Sequence, residues 1–251
     1  MSEIYSQEYF DSIGEASRSS AAAVVPRVVD MIQPQSVVDV GCGQGEWAAA
    51  FKQCGVEQVL GVDGAQVQSQ LRIEPHEFVA ADLTQPMKLD RKFDLAVSLE
   101  VAEHLPASAG ETLIATLASL APAVLFSAAI PHQSGRHHVN EQWPDYWAKL
   151  FAKYEFTPCD VLRTQFWGDA RVEWWYAQNM LLYVKPELLD RLPKHERNEQ
   201  GVLSVVHPAN YQRLVWRERV LTACVDLAAA VPPQSRVILA DEDRFGDVYL
   251  P

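Results

Sequence analysis

Hydrophobic and polar positions along this chain follow two rhythms, and the switching between them predicts its architecture. Short aliphatic or β-branched runs near 36–40, 58–62, 77–80, 93–99 and 122–129 have the length and composition of strands buried on both faces. Stretches with helical spacing separate them, among them Glu46–Phe51 after the first run and Thr112–Ala121 before the fifth. Tyr5–Ile32 predicts helix ahead of the first strand, with Pro26 starting or kinking its second half. Pro158–Arg163 and Tyr176–Val184 predict two last strands, which completes a seven-stranded sheet by about residue 185. Such alternation implies an α/β domain with a mainly parallel sheet and helices on both faces.

Beyond Lys185-Pro186 the pattern changes. A charged stretch, KHERNEQG, precedes a long helical segment from Pro208 to about Ala230, and Arg236–Ala240 reads as one more strand. The division expected is therefore a domain over 1–185, whose first 35 residues cover the ligand site, and a mainly helical extension over 186–251. The extension reads as the start of a further domain, as in the N-terminal part of a longer protein.

The first strand runs into VVDVGCGQG, Val37–Gly45. Glycines at 41, 43 and 45 let the backbone turn tightly against a ligand, and the following helix offers N–H groups to an anion. A dinucleotide is the first candidate, but its G-x-G-x-x-G pattern would need glycine where Glu46 stands, and Asp39 would repel a pyrophosphate. A ligand with a carboxylate and an ammonium group fits better, its cation balanced by Asp39. That describes the methionine end of S-adenosylmethionine.

Here the chain resembles the class I S-adenosylmethionine-dependent methyltransferases, and further residues follow in that family's order. The resemblance implies a Rossmann-like sheet with its last strand antiparallel. It assigns Asp39, Val40, Gly41, Cys42, Gly43 and Gly45 to the methionine end, and Asp63 of VLGVDG, with Gly64, to the ribose hydroxyls. Asp82 of FVAADL, flanked by Ala81 and Leu83, would meet the adenine edge, and Leu99 would end the fourth strand beneath the transferable methyl. An aspartate at a strand end is by itself more often a turn residue; four such signals in order carry the reading.

Composition narrows the function further. The net charge of −12 and the absence of a basic stripe argue against a nucleic-acid acceptor. Cys42, Cys54, Cys159 and Cys224 form no C-x-x-C pair, which points to neither zinc nor a disulfide framework and fits a reducing cytoplasm. No leader-like start and no apolar run of ~20 residues is present, so neither export nor a membrane is expected.

Chemistry belongs in the loop after the fourth strand, where ligands of open α/β sheets gather. It reads Glu100-Val-Ala-Glu103-His104. Two carboxylates and an imidazole within one turn suit a divalent cation. A similar E-x-x-E-H, completed by a later histidine, occurs in methyltransferases of the ubiquinone O-methylation and small-RNA 2′-O-methylation groups, where it holds a metal that engages substrate hydroxyls. His132, His137 and His138 can each supply that histidine, and His138 is favoured because it directly precedes VNEQW. Mg²⁺ is the first expectation, with Mn²⁺, Fe²⁺ and Zn²⁺ as alternatives. Without metal, Glu100 and His104 shape the loop, and His104 or His138 becomes the general base.

Two aromatic clusters lie downstream, EQWPDYWAKLF and FWGDARVEWWYAQN. Aromatic faces bordered by polar groups suit a sugar or another polyhydroxylated ring. Trp143, Arg171 and Trp174 are the acceptor-pocket candidates, whereas Trp147, Leu150 and Phe151 have helical spacing and read as core, and Trp175 as the start of an inward-facing strand. The expected activity is O-methylation of a small hydroxylated molecule such as a glycoside. Metal-free N- or C-methylation of a metabolite, and a non-catalytic cofactor-binding module, are the alternatives.

Overall fold

The computed structural model describes residues 7–189, 192 and 202–230. The KHERNEQG stretch and the strand expected at 236–240 lie outside the described residues. The chain forms two compact units, one running to His207 and a second beginning at Pro208.

The first unit opens with a 26-residue helix α1 (Gln7–Ile32), which continues through Pro26. Strands β1 (Ser36–Val40), β2 (Gln58–Asp63), β3 (Phe78–Ala80), β4 (Leu95–Leu99), β5 (Ala123–Ser127), β6 (Thr157–Cys159) and β7 (Leu181–Val184) form one sheet of order β3-β2-β1-β4-β5-β7-β6. The neighbours from β3 to β5 pair in parallel, and β7 runs antiparallel to both β5 and β6. This is the seven-stranded fold class expected from the alternation. Among the described residues, helices α2 (Glu46–Gln53), α3 (Ala107–Leu120), α4 (Pro144–Ala152), α5 (Arg163–Phe166), α6 (Trp174–Asn179) and α7 (Pro186–Leu189) also belong to the first unit, and α8 (Pro208–Ala230) forms the described part of the second.

Because successive side chains on a strand point to opposite faces, the buried runs feed two cores at once. Val37, Val59, Leu95, Val97, Leu125 and Leu182 pack with Val24, Val25 and Val28 of α1 and Ala48 and Phe51 of α2. Val38, Val40, Leu60, Val62, Ala96 and Val124 face the other way, onto Leu113, Ile114 and Leu117 of α3 and Trp147, Leu150 and Phe151 of α4. Phe151 stacks on Tyr183 with ring centroids 4.0 Å apart, so the core reading of this aromatic group holds.

The two last strands are shorter than their sequence spans. Tyr176 and Trp175 lie on α6, and only Leu181–Val184 is strand. The apolar run WWYAQNMLLYV hides this change because its helical half is buried too. Likewise β6 stops at Cys159, and Arg163 opens a helical turn.

Candidate active site

The carboxyl ends of β1, β2 and β4 lie side by side, which brings the glycine loop, Asp63 and the Glu100–His104 turn to one edge. Gly41, Gly43 and Gly45 all have left-handed backbones, with φ of 83°, 53° and 86°. At Gly41 a Cβ would overlap the Val101 side chain, so this glycine sets the close approach between the cofactor loop and the E-x-x-E-H turn. Most loop amides serve the protein itself: Gly41 and Cys42 donate to the Val62 carbonyl, and Gly45 to that of Cys42.

The Asp63 carboxylate accepts the N–H of Gly43 at 2.8 Å and that of Gly64 at 2.6 Å, which fixes it at the end of β2. Asp39 is buried, accepts the Ala48 N–H at the start of α2, and keeps a second oxygen, Oδ2, without a partner. Burial, with the Asp63 charge second, pushes its carboxyl up to about 7. A cationic ligand would satisfy that oxygen and favour the ionised form. Val40, Cys42 and Leu99 are buried at the same edge, and burial raises the Cys42 thiol. Asp82 is exposed and accepts the N–H and hydroxyl of Thr84, while the Ala81 N–H binds the Asp63 carbonyl and Leu83 leans on the second core.

Helix α1 lies against this loop. Arg18 donates twice to the buried Glu46, at 3.2 and 3.1 Å, and Arg72 approaches the same carboxylate at 3.4 Å. Ser17 bonds the Tyr176 hydroxyl at 3.0 Å, and Trp47 meets the Tyr176 ring edge-on. One charged pair and one buried hydroxyl pair thus clamp α1 to α2 and α6.

In the E-x-x-E-H turn, Glu100 adopts a left-handed backbone, φ 55°, held by its N–H to the carbonyl and hydroxyl of Ser127. Its carboxylate accepts Asn179 Nδ2 at 3.1 Å and Gln133 Nε2 at 3.2 Å. Glu103 is fully buried, accepts the Ala129 N–H through Oε1, and meets no donor at Oε2. Burial, then the neighbouring Glu100 charge, holds Glu103 well above the usual carboxylate range, and burial raises Glu100 too.

His138 arrives because the chain after it is tied to the same turn: Val139 and Asn140 donate their N–H groups to the Glu103 carbonyl at 2.8 and 3.1 Å. Its ring stands edge-on to His104, centroids 4.9 Å apart, and Gly135 makes room for it, since a Cβ there would overlap the imidazole. Glu141 bonds His138 Nδ1 at 2.9 Å and also takes the N–H groups of His132 and Ser134, which orders the loop. His132 and His137 are exposed. One ligand atom from each of Glu103, His104 and His138 lies within 4.8 Å of the others; Glu100 is outside this group. Burial, then His138, lowers His104 to about 4, and its buried Nδ1 has no partner. A neutral imidazole with an unused lone pair fits a metal ion, as does the unused Glu103 oxygen.

Trp143 caps α4 with 41% of its surface exposed. Trp174 starts α6 edge-on to Trp175, and Arg171 is exposed and paired with Asp169. Sequence reasoning missed Gln133, Glu141, Gln178 and Asn179. Gln178-Asn179 did carry a signal: two adjacent amides inside an apolar run demand buried partners.

A 3-2-1-4-5-7-6 sheet with a glycine turn after β1 and a carboxylate ending β2 defines a class I S-adenosylmethionine-dependent methyltransferase. The chain belongs to the family described as "Methyltransferase domain", whose model matches residues 14–179. No curated protein matches it in sequence. Among solved structures it is similar to an amino pentose methyltransferase of calicheamicin biosynthesis from Micromonospora echinaspora, with TM-score 0.55 and 14% identity over 73% of this chain and 98% of that one. Magnesium protoporphyrin IX methyltransferase from Synechocystis gives 0.51 and 19% over 67% and 84%. An O-methyltransferase family protein from Burkholderia thailandensis gives 0.52 and 12% over 70% and 59%.

Proposed function

We propose that this enzyme transfers the methyl group of S-adenosylmethionine to a hydroxyl of a small polyhydroxylated acceptor, such as a sugar or glycoside, assisted by a divalent cation. The observation that carries the proposal is the convergence of Glu103, His104 and His138 beside the cofactor loop, with a buried donor atom unpartnered on each of the first two. These three side chains would hold the ion. Mg²⁺ or Mn²⁺, bound there, would lower the pKa of a nearby hydroxyl.

The chain's own groups do the rest. The unpartnered Asp39 Oδ2 would face the cationic end of the cofactor, and Asp63, already fixed by two amides, would present its carboxylate to the ribose. Asp82 with Ala81 and Leu83 would border the adenine, and Gly41 against Val101 sets the spacing between donor and acceptor. The sulfonium methyl is already activated, so alignment and exclusion of water supply most of the rate. Trp143, Trp174 and Arg171 would flank the acceptor. The acidic chain disfavours nucleic acid, and a reducing cytoplasm suits its thiols.

A metal-free reading has its own support in the His138–Glu141 pair, since a carboxylate on Nδ1 orients the ring as a base. His104, lowered to about 4, is a poor base near neutrality. One experiment separates the two readings: transfer of labelled methyl from S-adenosylmethionine to a panel of glycosides, phenols and amines, with Mg²⁺, with Mn²⁺ and with chelator. Metal-dependent labelling of hydroxyl compounds is expected. Labelling of amines alone, or full rates in chelator, would contradict the proposal.

A further inference from the structure

The stretch Val202–His207 lies beyond the end of the family match at Asn179, and has neither helix nor strand. It is nevertheless fastened to the methyltransferase core from four sides. Arg163, 2% exposed, is held by both oxygens of Asp160 at 2.9 and 2.6 Å. Its remaining N–H groups reach the carbonyls of Leu203 at 2.6 Å, Gln178 at 3.3 Å and Val202 at 3.4 Å. Ser204 bonds Asp145, and His207 Nε2 bonds the Trp167 carbonyl at 2.7 Å. The fourth fastening is the His207 main-chain N–H, which donates to Gln178 Oε1 at 2.9 Å.

That last bond has a direction, because a main-chain N–H can only donate. It turns the Gln178 oxygen towards His207 and so turns Nε2 inward, where it donates to Gln133 Oε1 at 3.0 Å and Asn179 Oδ1 at 2.8 Å. Gln133 Oε1 is held from the opposite end as well, since it accepts the Ile130 main-chain N–H at 3.2 Å and Asn179 Nδ2 at 2.9 Å, and both of these amides turn their nitrogens onward. Asn179 Nδ2 reaches Glu100 Oε1 at 3.1 Å, and Gln133 Nε2 reaches Glu100 Oε2 at 3.2 Å. All three amides are buried, so a reversed amide would leave polar atoms without partners at a cost of ~1–3 kcal/mol each.

We infer that Val202–His207 is a positioning element of the acceptor site: the His207 amide at one end, together with the Ile130 amide at the other, sets the polarity of a buried relay, Gln178 to Gln133 and Asn179, that presents two N–H donors to Glu100. Glu100 is thereby fixed as an accepting carboxylate, in its left-handed backbone, next to Glu103. The inference rests on the methyltransferase reading only in assigning that turn to the acceptor side.

The test compares two substitutions at one position. His207→Pro removes the donor N–H, whereas His207→Ala keeps it and removes only the imidazole. In side-chain amide NMR of the whole chain, the carboxamides of Gln178, Gln133 and Asn179 are expected to be protected from exchange in the native protein and in His207→Ala, and to lose protection in His207→Pro. S-adenosylmethionine affinity by calorimetry should stay within about 2-fold in both. Methyl transfer should fall at least about 10-fold in kcat for His207→Pro alone, with KM for S-adenosylmethionine unchanged. Gln178→Glu, which keeps the shape but cannot donate both bonds, is expected to lower Tm and, assayed well below it in folded protein, to reproduce the kcat loss. Equal protection and equal kcat in His207→Pro and His207→Ala would overturn the inference. Failure of the native protein to bind S-adenosylmethionine would overturn the cofactor reading and leave the amide comparison standing.

Discussion

The two halves of the sheet's carboxyl edge are built by opposite means. On the side proposed for the cofactor, each contributing residue sits on a strand or within a few positions of its end: Asp39 within β1 and Gly41 just after it, Asp63 at the end of β2 and Gly64 next, Asp82 shortly after β3. On the side proposed for the acceptor, one turn is held by residues from later in the chain. Glu100 is held by Gln133 and Asn179, Glu103 by Ala129, and His138 is carried in by the bonds of Val139 and Asn140 to the Glu103 carbonyl. The first half is main-chain geometry with single carboxylates. The second is a buried polar network, whose members depend on each other.

That difference explains what the amino-acid sequence revealed. The cofactor half follows from local pattern: a β-branched run, glycines where φ must be positive, an acid at the strand end. The fold was legible for the same reason, since seven apolar runs with helical stretches between them limit the topology severely. In the acceptor half, Glu100, Glu103 and His104 stood out because they are adjacent, and His138 because polar residues follow it. Gln133, Gln178 and Glu141 did not, because their partners are 33, 45 and 3 residues away with no periodicity to announce them. The misread strand at Tyr176 has a related cause. Burial on both sides of Met180 erases the contrast that separates helix from strand.

If the halves are distinct, disturbing one should leave the other intact. The largest effect is expected at Asp63→Ala, which removes a carboxylate fixed by two amides: S-adenosylmethionine affinity in calorimetry should drop by about 100-fold or more, while NMR of the Glu100 network stays native. Loss of that network with Asp63 would break the comparison. Gly41→Ala joins the two halves, because the new methyl must displace Val101 at a left-handed backbone. It should destabilise the fold by roughly 3 kcal/mol, read as a fall in Tm and in denaturation midpoint.

A smaller effect concerns pH. The folded-state pKa of Asp39, about 7, stands above the usual carboxylate value, so the ligand-free protein holds a proton that must leave when a cation binds. S-adenosylmethionine affinity should therefore rise by about 10-fold between pH 6 and pH 8. For the same reason Asp39 opposes folding increasingly as pH rises from about 4 to 7. Asp39→Asn should weaken cofactor binding and flatten its pH dependence, yet raise Tm at pH 8 by a few degrees. A lower Tm would show that the carboxylate supports the fold. The smallest effect is expected at Arg171→Ala, whose exposed pair with Asp169 should alter stability by less than ~1 kcal/mol. Any change there should appear in KM for the acceptor.

The most direct measurement takes the Glu103→Gln/His104→Ala double variant and determines S-adenosylmethionine affinity and methyl transfer on the same preparation. The account predicts affinity within about 2-fold of the native protein, since Asp39, Asp63 and the glycine loop are untouched. It predicts methyl transfer reduced by about 1000-fold, and no further response to Mg²⁺, Mn²⁺ or chelator. Full transfer in the double variant, or cofactor affinity lost together with transfer, would contradict it.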